Sequence, residues 1–124
     1  MTAHYPGRAA IDSYGAGGFG FAGMSHKGSI MVLPSGIYAW DIDPKLMTPR
    51  DFAMAIAEKG DIDLLLIGMG HDMARPPKPV RAALEASGIL FDPMATGHAV
   101  STFNLLFEEK RRVAAALIGV DFAA

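Results

Sequence analysis

The stretch "DLLLIGMGHDMARPPKPVRAAL", residues 63–84, sets two glycines, Gly68 and Gly70, and then a cation, Arg75, directly after an apolar run. Nucleotide-binding proteins use such a loop to cradle phosphate on backbone amides where the next helix begins. The remaining requirements are not met. No Gly-Lys-Ser/Thr sequence occurs, and the third glycine of the dinucleotide fingerprint would fall on Met73. Pro76, Pro77 and Pro79 remove amide donors where an anion would want them. Gly68 and Gly70 therefore read as steric: they let the chain leave a central strand sharply and lie close to neighbouring backbone. Arg75 lies near the carboxyl end of that strand, where open α/β sheets form crevices, so it could hold an anion or a partner carboxylate. An ordinary surface ion pair is the commoner role for an arginine.

Other chemistry-bearing residues are sparse. His4, His26, His71 and His98 form neither an HExxH motif nor a Cys/His ladder. His71-Asp72 and His98 could converge in space, but solvated loop histidines are the commoner case. No G-x-S-x-G elbow is present, and Ala86-Ser87-Gly88 reads as a helix end. Glu108 and Arg112 have the spacing of a helix ion pair, provided the helix extends that far. Thr102-Phe103-Asn104 places helix-indifferent residues inside a helix. Asn104 is either exposed or bonded to backbone in a neighbouring loop, and both readings stand.

These residues need elements to hold them. Up to Trp40 the chain is β-rich, with short apolar runs broken by Gly, Ser and Pro. Phe19–Met24 and Ile30–Leu33 are expected strands with a reversal at 26–29, and Pro34-Ser35-Gly36 turns into Ile37–Trp40. The Gly15–Gly23 stretch reads as a bulged hairpin. Thr48-Pro49-Arg50-Asp51 predicts a helix start, with Phe52 and Ile56 on its buried stripe and Gly60 at its end. Asp63–Ile67 predicts a central strand, Pro79–Ala86 a second helix ending at Gly88, and Ile89–Phe91 a short strand. A third helix starts near Thr96, with Ala99, Phe103 and Leu106 on one stripe and Val100 and Phe107 beside it. Leu105 falls outside that stripe, which suggests contact with more than one layer. Val113–Ile118 closes the chain as a buried strand.

The whole chain, 124 residues with net charge −2 and no cysteine, fits one domain over 1–124 with 1–9 flexible. That charge offers no footprint for nucleic acid, and disulfides and thiolate metal sites are excluded. "MTAHYPGRAA" lacks an apolar signal core, and no apolar run is long enough to cross a bilayer. A cytoplasmic protein that is not integral to a membrane is expected. Hydrophobic residues make up 51% of the chain, which suits strands buried on both faces or a surface that a partner covers.

Tyr14-Gly15, Gly17-Gly18-Phe19, "GSIMVLPSGIYAWD", "LLLIGMG" with Arg75, "GILFDPMATGHAVSTFNLL" and "RRVAAALIGV" share an order and spacing. In these the chain resembles, over about residues 10–120, the small Mth-type domain family of unknown function. Relatives of that family include mitochondrial complex I assembly factor 3. The resemblance implies a three-layer α/β fold: a central mixed β-sheet flanked by helices, with an additional N-terminal β-hairpin layer. It implies no established catalytic residues; with the motifs above missing, no cofactor and no metal are expected. The family-like positions are Gly68, Gly70, Arg75, Thr96, Ala99, Thr102, Phe103 and Asn104. Met69 stands where a threonine is usual, and Lys110 where a glycine is usual, so a non-glycine must make the turn before the last strand.

The function read from all this is a non-enzymatic binding or assembly module with a protein partner. It would assist assembly of respiratory NADH:quinone oxidoreductase (complex I) or another membrane complex. A homo-oligomer is a further option. The alternative is a small-molecule binder, or an enzyme of unknown reaction, using a crevice at Gly68, Gly70, Arg75, Thr96, Thr102 and Asn104. Titration calorimetry with ATP, GTP and NAD is expected to show no useful binding. Micromolar affinity that disappears in Gly70→Val would overturn that reading of the loop.

Overall fold

The computed structural model describes residues 3–71 and 74–121. Strands β1 (Ile11–Gly15), β2 (Gly18–Phe21) and β3 (Met24–Lys27) form an antiparallel meander. The N-terminal layer is thus three-stranded, and the run 19–24 expected as one strand is split at Ala22-Gly23. The turns Ala16-Gly17 (φ 51° and 78°) and Ala22-Gly23 (φ 50° and 75°) both carry two consecutive positive φ angles, as tight hairpins of matching twist require. An alanine in that region costs roughly 1–2 kcal/mol, and Ala-Gly lacks the Asn-Gly or Asp-Gly signature that would have marked the reversal.

The frame of the molecule is a second sheet made of β4 (Ile30–Leu33), β5 (Gly36–Ala39), β6 (Leu64–Gly68), β7 (Phe91–Met94) and β8 (Val113–Leu117). Its order is β5-β4-β8-β6-β7, with β6 parallel to both β7 and β8 and β4 antiparallel to β5 and β8. Both faces are covered. Leu65, Ile67, Ala114, Ala116, Met31 and Leu33 meet Phe52 and Ala55 near α1 (Ala53–Ala57) and Val80 and Leu84 of α2 (Lys78–Ser87). Leu66, Ala115, Leu117, Ile30 and Val32 meet Ala99, Val100 and Phe103 of α3 (Thr96–Glu108), together with Phe19 and Phe21 of the meander. The alternation of one strand between two cores is why these strands read as continuous apolar runs. This is the three-layer α/β arrangement with a central mixed sheet.

Local structure departs from expectation in several places. The stretch after Thr48 is a 3-10 turn (Pro49–Phe52), the short α1, and a second 3-10 turn (Lys59–Asp61), so Gly60 lies inside a turn. The buried Trp40 donates its indole N–H to the Asp51 carbonyl at 2.8 Å and meets Phe52 edge-on, which fixes this broken helix to the sheet. Strand β7 begins at Phe91 rather than Ile89, and as an edge strand it accommodates Pro93. Leu105 is exposed to solvent rather than touching a further layer. Helix α3 ends before Glu108 could reach Arg112; Lys110, with φ 61°, makes the turn, and Arg112 pairs with Asp63 at 2.7 Å.

Of residues 1–9, expected to be flexible, 1 and 2 lie outside the described residues, and His4, Tyr5 and Arg8 bond to the sheet. The His4 amide donates to Ile37 O and the Ile37 amide to Tyr5 O, adding a short antiparallel bridge to the outer edge of β5. Arg8 then donates Nε–H to Val113 O at 2.8 Å, where β8 begins. These bonds, made to backbone carbonyls and amides, carry no hydropathy pattern.

Leu65, fully buried in β6 between Phe91 and Ala114 of its neighbours, tests the frame. Leu65→Ala is expected to lower unfolding free energy by about 2–5 kcal/mol through the cavity it leaves. Denaturant titration reads this directly, and an unchanged midpoint would place Leu65 outside the core.

Candidate functional site

The carboxyl ends of the parallel strands β6, β7 and β8 converge at the start of α3. Gly68 closes β6 with no room for a side chain: an added Cβ would lie 2.9 Å from Thr96 Oγ1 and 3.0 Å from a Leu117 methyl. Gly70 carries φ +95°, which an L side chain rarely adopts. Both glycines thus have steric roles, the first for close approach and the second for conformation.

Thr96 is fully buried, and its polar groups are spent on the surrounding loops. Its amide donates to Gly70 O (2.8 Å), its hydroxyl accepts from the Gly70 amide (2.9 Å), and that hydroxyl donates to Ile118 O (2.8 Å). One threonine therefore stitches the ends of β6 and β8 to the first residue of α3. The residue before it is Ala95, which cannot cap a helix with a side chain, so Gly70 supplies the first acceptor in its place.

A cleft of about 520 Å³ opens above this seam, lined by Tyr14, Gly70, His71, Ala95, Gly97, His98, Ser101 and Val120. Tyr14 reaches in from β1; a Cβ on Gly97 would come within 2.5 Å of its hydroxyl, so the glycine makes room for the phenol over the first turn of α3. Gly97 and His98 belong to that first turn, where a helix leaves amides without intrahelical acceptors. His71, His98 and Ser101 are exposed along the rim. The polar groups along its wall are a phenol, a hydroxyl, two imidazoles and helix amides, all hydrogen-bonding groups. Among the described residues no group of three His, Cys, Asp or Glu side chains converges to hold a metal.

Of the residues expected in a crevice, Gly70 lines the cleft, and Gly68 and Thr96 belong to the seam beneath it. Arg75 is exposed and does not line the cleft. Asp72 and Met73 lie outside the described residues. Thr102 is half-buried farther along α3 and is not part of the cleft wall either. Asn104 points elsewhere: its side chain accepts from the Ile11 amide and donates to the Ile11 carbonyl, both at 2.8 Å. It replaces a missing strand neighbour at the edge of β1. Tyr14, Ser101 and Val120 are additions that no spacing marks, because the tyrosine arrives from a different sheet.

Residues 11–118 match the family model described as "Protein of unknown function (DUF498/DUF598)". The chain belongs to that family. An uncharacterised protein of Rhodobacter capsulatus is 39% identical over 92% of this chain and 87% of its own length. The NADH dehydrogenase [ubiquinone] 1 alpha subcomplex assembly factor 3 of Mus musculus is 29% identical over 95% of this chain, which spans 64% of that relative. The crystal structure of an outer membrane protein from Bartonella henselae superposes with TM-score 0.90 and 49% identity, over 94% of this chain and 99% of the other. A Mth938-like domain from Bordetella pertussis shares the fold, with TM-score 0.76 at 22% identity over 100% of this chain and 95% of the other. Among the described residues of this chain, no helix is long and apolar enough to cross a membrane.

Thr96→Val keeps shape but removes the hydroxyl, leaving the Gly70 amide and the Ile118 carbonyl without this partner. A loss of about 1–3 kcal/mol is expected, with Thr96→Ser closer to wild type. Thermal unfolding of the two variants checks this, and equal stability of Val and wild type would remove the seam from the account of the fold.

Proposed function

We propose that this chain is a non-enzymatic binding module that assists assembly of a membrane complex, with respiratory NADH:quinone oxidoreductase as its client, acting from the cytoplasmic side. One observation carries the proposal: the likeness to assembly factor 3 runs through 95% of the chain in mouse and 87% in human, at 29% and 30% identity. The chain spans about six-tenths of the length of these relatives (64% and 59%), so the client is part of the proposal. The cleft over α3 is the proposed docking point. Its first-turn amides and rim side chains suit a partner carboxylate or backbone carbonyl. Arg75, exposed on the connection to α2, is proposed as the charge that draws such a group in.

A second reading shares the same cleft. Its volume of about 520 Å³ falls within the size of small-molecule sites, and Tyr14, His98 and Ser101 would orient a polar ligand there.

Deletion of the gene from its own cells separates the two readings. The assembly role predicts a several-fold loss of assembled oxidoreductase on native gels stained for NADH oxidation, restored by the wild-type chain. A His98→Ala/Ser101→Ala variant should accumulate normally and restore little. Arg75→Ala should fold and restore partially. Wild-type levels of the oxidoreductase in the deletion strain would overturn the assembly role in favour of a small ligand.

A further inference from the structure

The N-terminal arm crosses between the two sheets, and one side-chain contact marks the crossing. His4, on the arm, and His26, on β3, stand with ring centroids 4.7 Å apart at an interplanar angle of 44°. His26 pairs with Phe19 across β2 and β3, so the two side chains lie on the same, core-facing side of the meander. The arm beyond His4 makes the backbone bridge to Ile37 and runs over Gly36, where a Cβ would come 2.5 Å from Tyr5 O. It occupies the one edge of β5 that β4 does not pair.

We propose that His4 and His26 form a proton-sensitive clasp that holds residues 3–7 over the open edge of β5, and that protonation of the pair releases the arm. Two neutral imidazoles can sit in ring contact, whereas two imidazolium ions at this distance repel. Partial burial, and then the neighbouring His4, hold the His26 imidazole below its usual 6.5. A histidine whose folded value is depressed contributes stability that is complete above the unfolded value. That stability is lost as pH falls from there toward the folded value. The clasp is therefore closed at neutral pH and weakens below about pH 6.5.

The groups around His26 leave this balance in place. From β2 it faces Phe19; on its own strand Lys27 follows; and the C-terminal segment brings Asp121 to the groove that His26, Lys27 and Tyr14 also line. Lys27 and Asp121 are opposite in sign, and only His4 acts on the His26 charge alongside burial. On release, the Ile37 amide and carbonyl lose their partners and β5 becomes an unpaired edge, able to accept another strand.

Amide hydrogen exchange followed by NMR reads the clasp through one proton. The protection factor of the Ile37 amide, which donates to Tyr5 O, is compared at pH 7.5 and 5.0 after correction for intrinsic exchange. The Met69 amide, which donates to Met94 O, serves as a core reference. Protection at Ile37 should fall by about fivefold in acid, the size of one unfavourable charge contact at a protein surface, while the reference holds. His26→Gln should abolish the acid dependence. The exposed His4→Gln should do the same with no effect on folding. Ile37 protection that is independent of pH in wild type, or an acid loss that persists in His4→Gln, would overturn the clasp.

Discussion

A single hydroxyl inside an apolar core must find both a donor and an acceptor, and Thr96 meets that demand at the point where three elements end. It holds Gly70 after β6 and Ile118 after β8 against the first residue of α3. A buried polar group is costly unless satisfied, so the register of these ends is narrowly defined. The close approach of Gly68 to Thr96 follows from the same requirement, since any larger residue would push the threonine away from its partners. The cleft exists because this seam brings the loop, the helix and the C-terminal segment to one level.

Around the seam, the central sheet supplies rigidity through small residues as much as large ones. Strand β8 places Ala114 and Ala116 against one core and Ala115 against the other, all fully buried. Alanines at the middle strand let the flanking layers close on the sheet, and the volume is filled by Phe52, Leu84, Phe103 and Phe21 from outside. The meander adds its own weight: Phe19 and Phe21 share the core beneath α3, and Asn104 fastens the edge of β1 to that helix. Tyr14 reaches the cleft only because the meander is held there.

Likeness to the DUF498/DUF598 family places these features in a shared frame without assigning them a task. A fold of this kind hosts functions through its sites, and the candidate site here is a cleft of mixed polar and apolar lining with His71, His98 and Ser101 exposed.

The order of strands and helices in the central sheet was legible in the sequence because burial on two faces leaves a strong local trace. Residues 63–67 and 113–118 read as buried strands, within one residue of the observed Leu64–Gly68 and Val113–Leu117, and Gly88, whose φ is 84°, marked the end of α2. The steric meaning of Gly68 and Gly70 was legible too, from the failure of every phosphate motif around them. Position in three dimensions was not. The Ala-Gly reversals, the broken helix after Thr48 and the docked N-terminal arm depend on backbone conformation and on bonds to distant backbone groups, which leave no local pattern. Asn104 could be read as exposed or as bonded; only the arrival of β1 beside α3, through Ile11, decided it. The cleft likewise joins Tyr14 to His98 and Ser101 across more than eighty positions. Hydrophobic periodicity is set by each segment's own environment and so is written locally. A site assembled from four separate segments has no local pattern, and tertiary packing alone creates it.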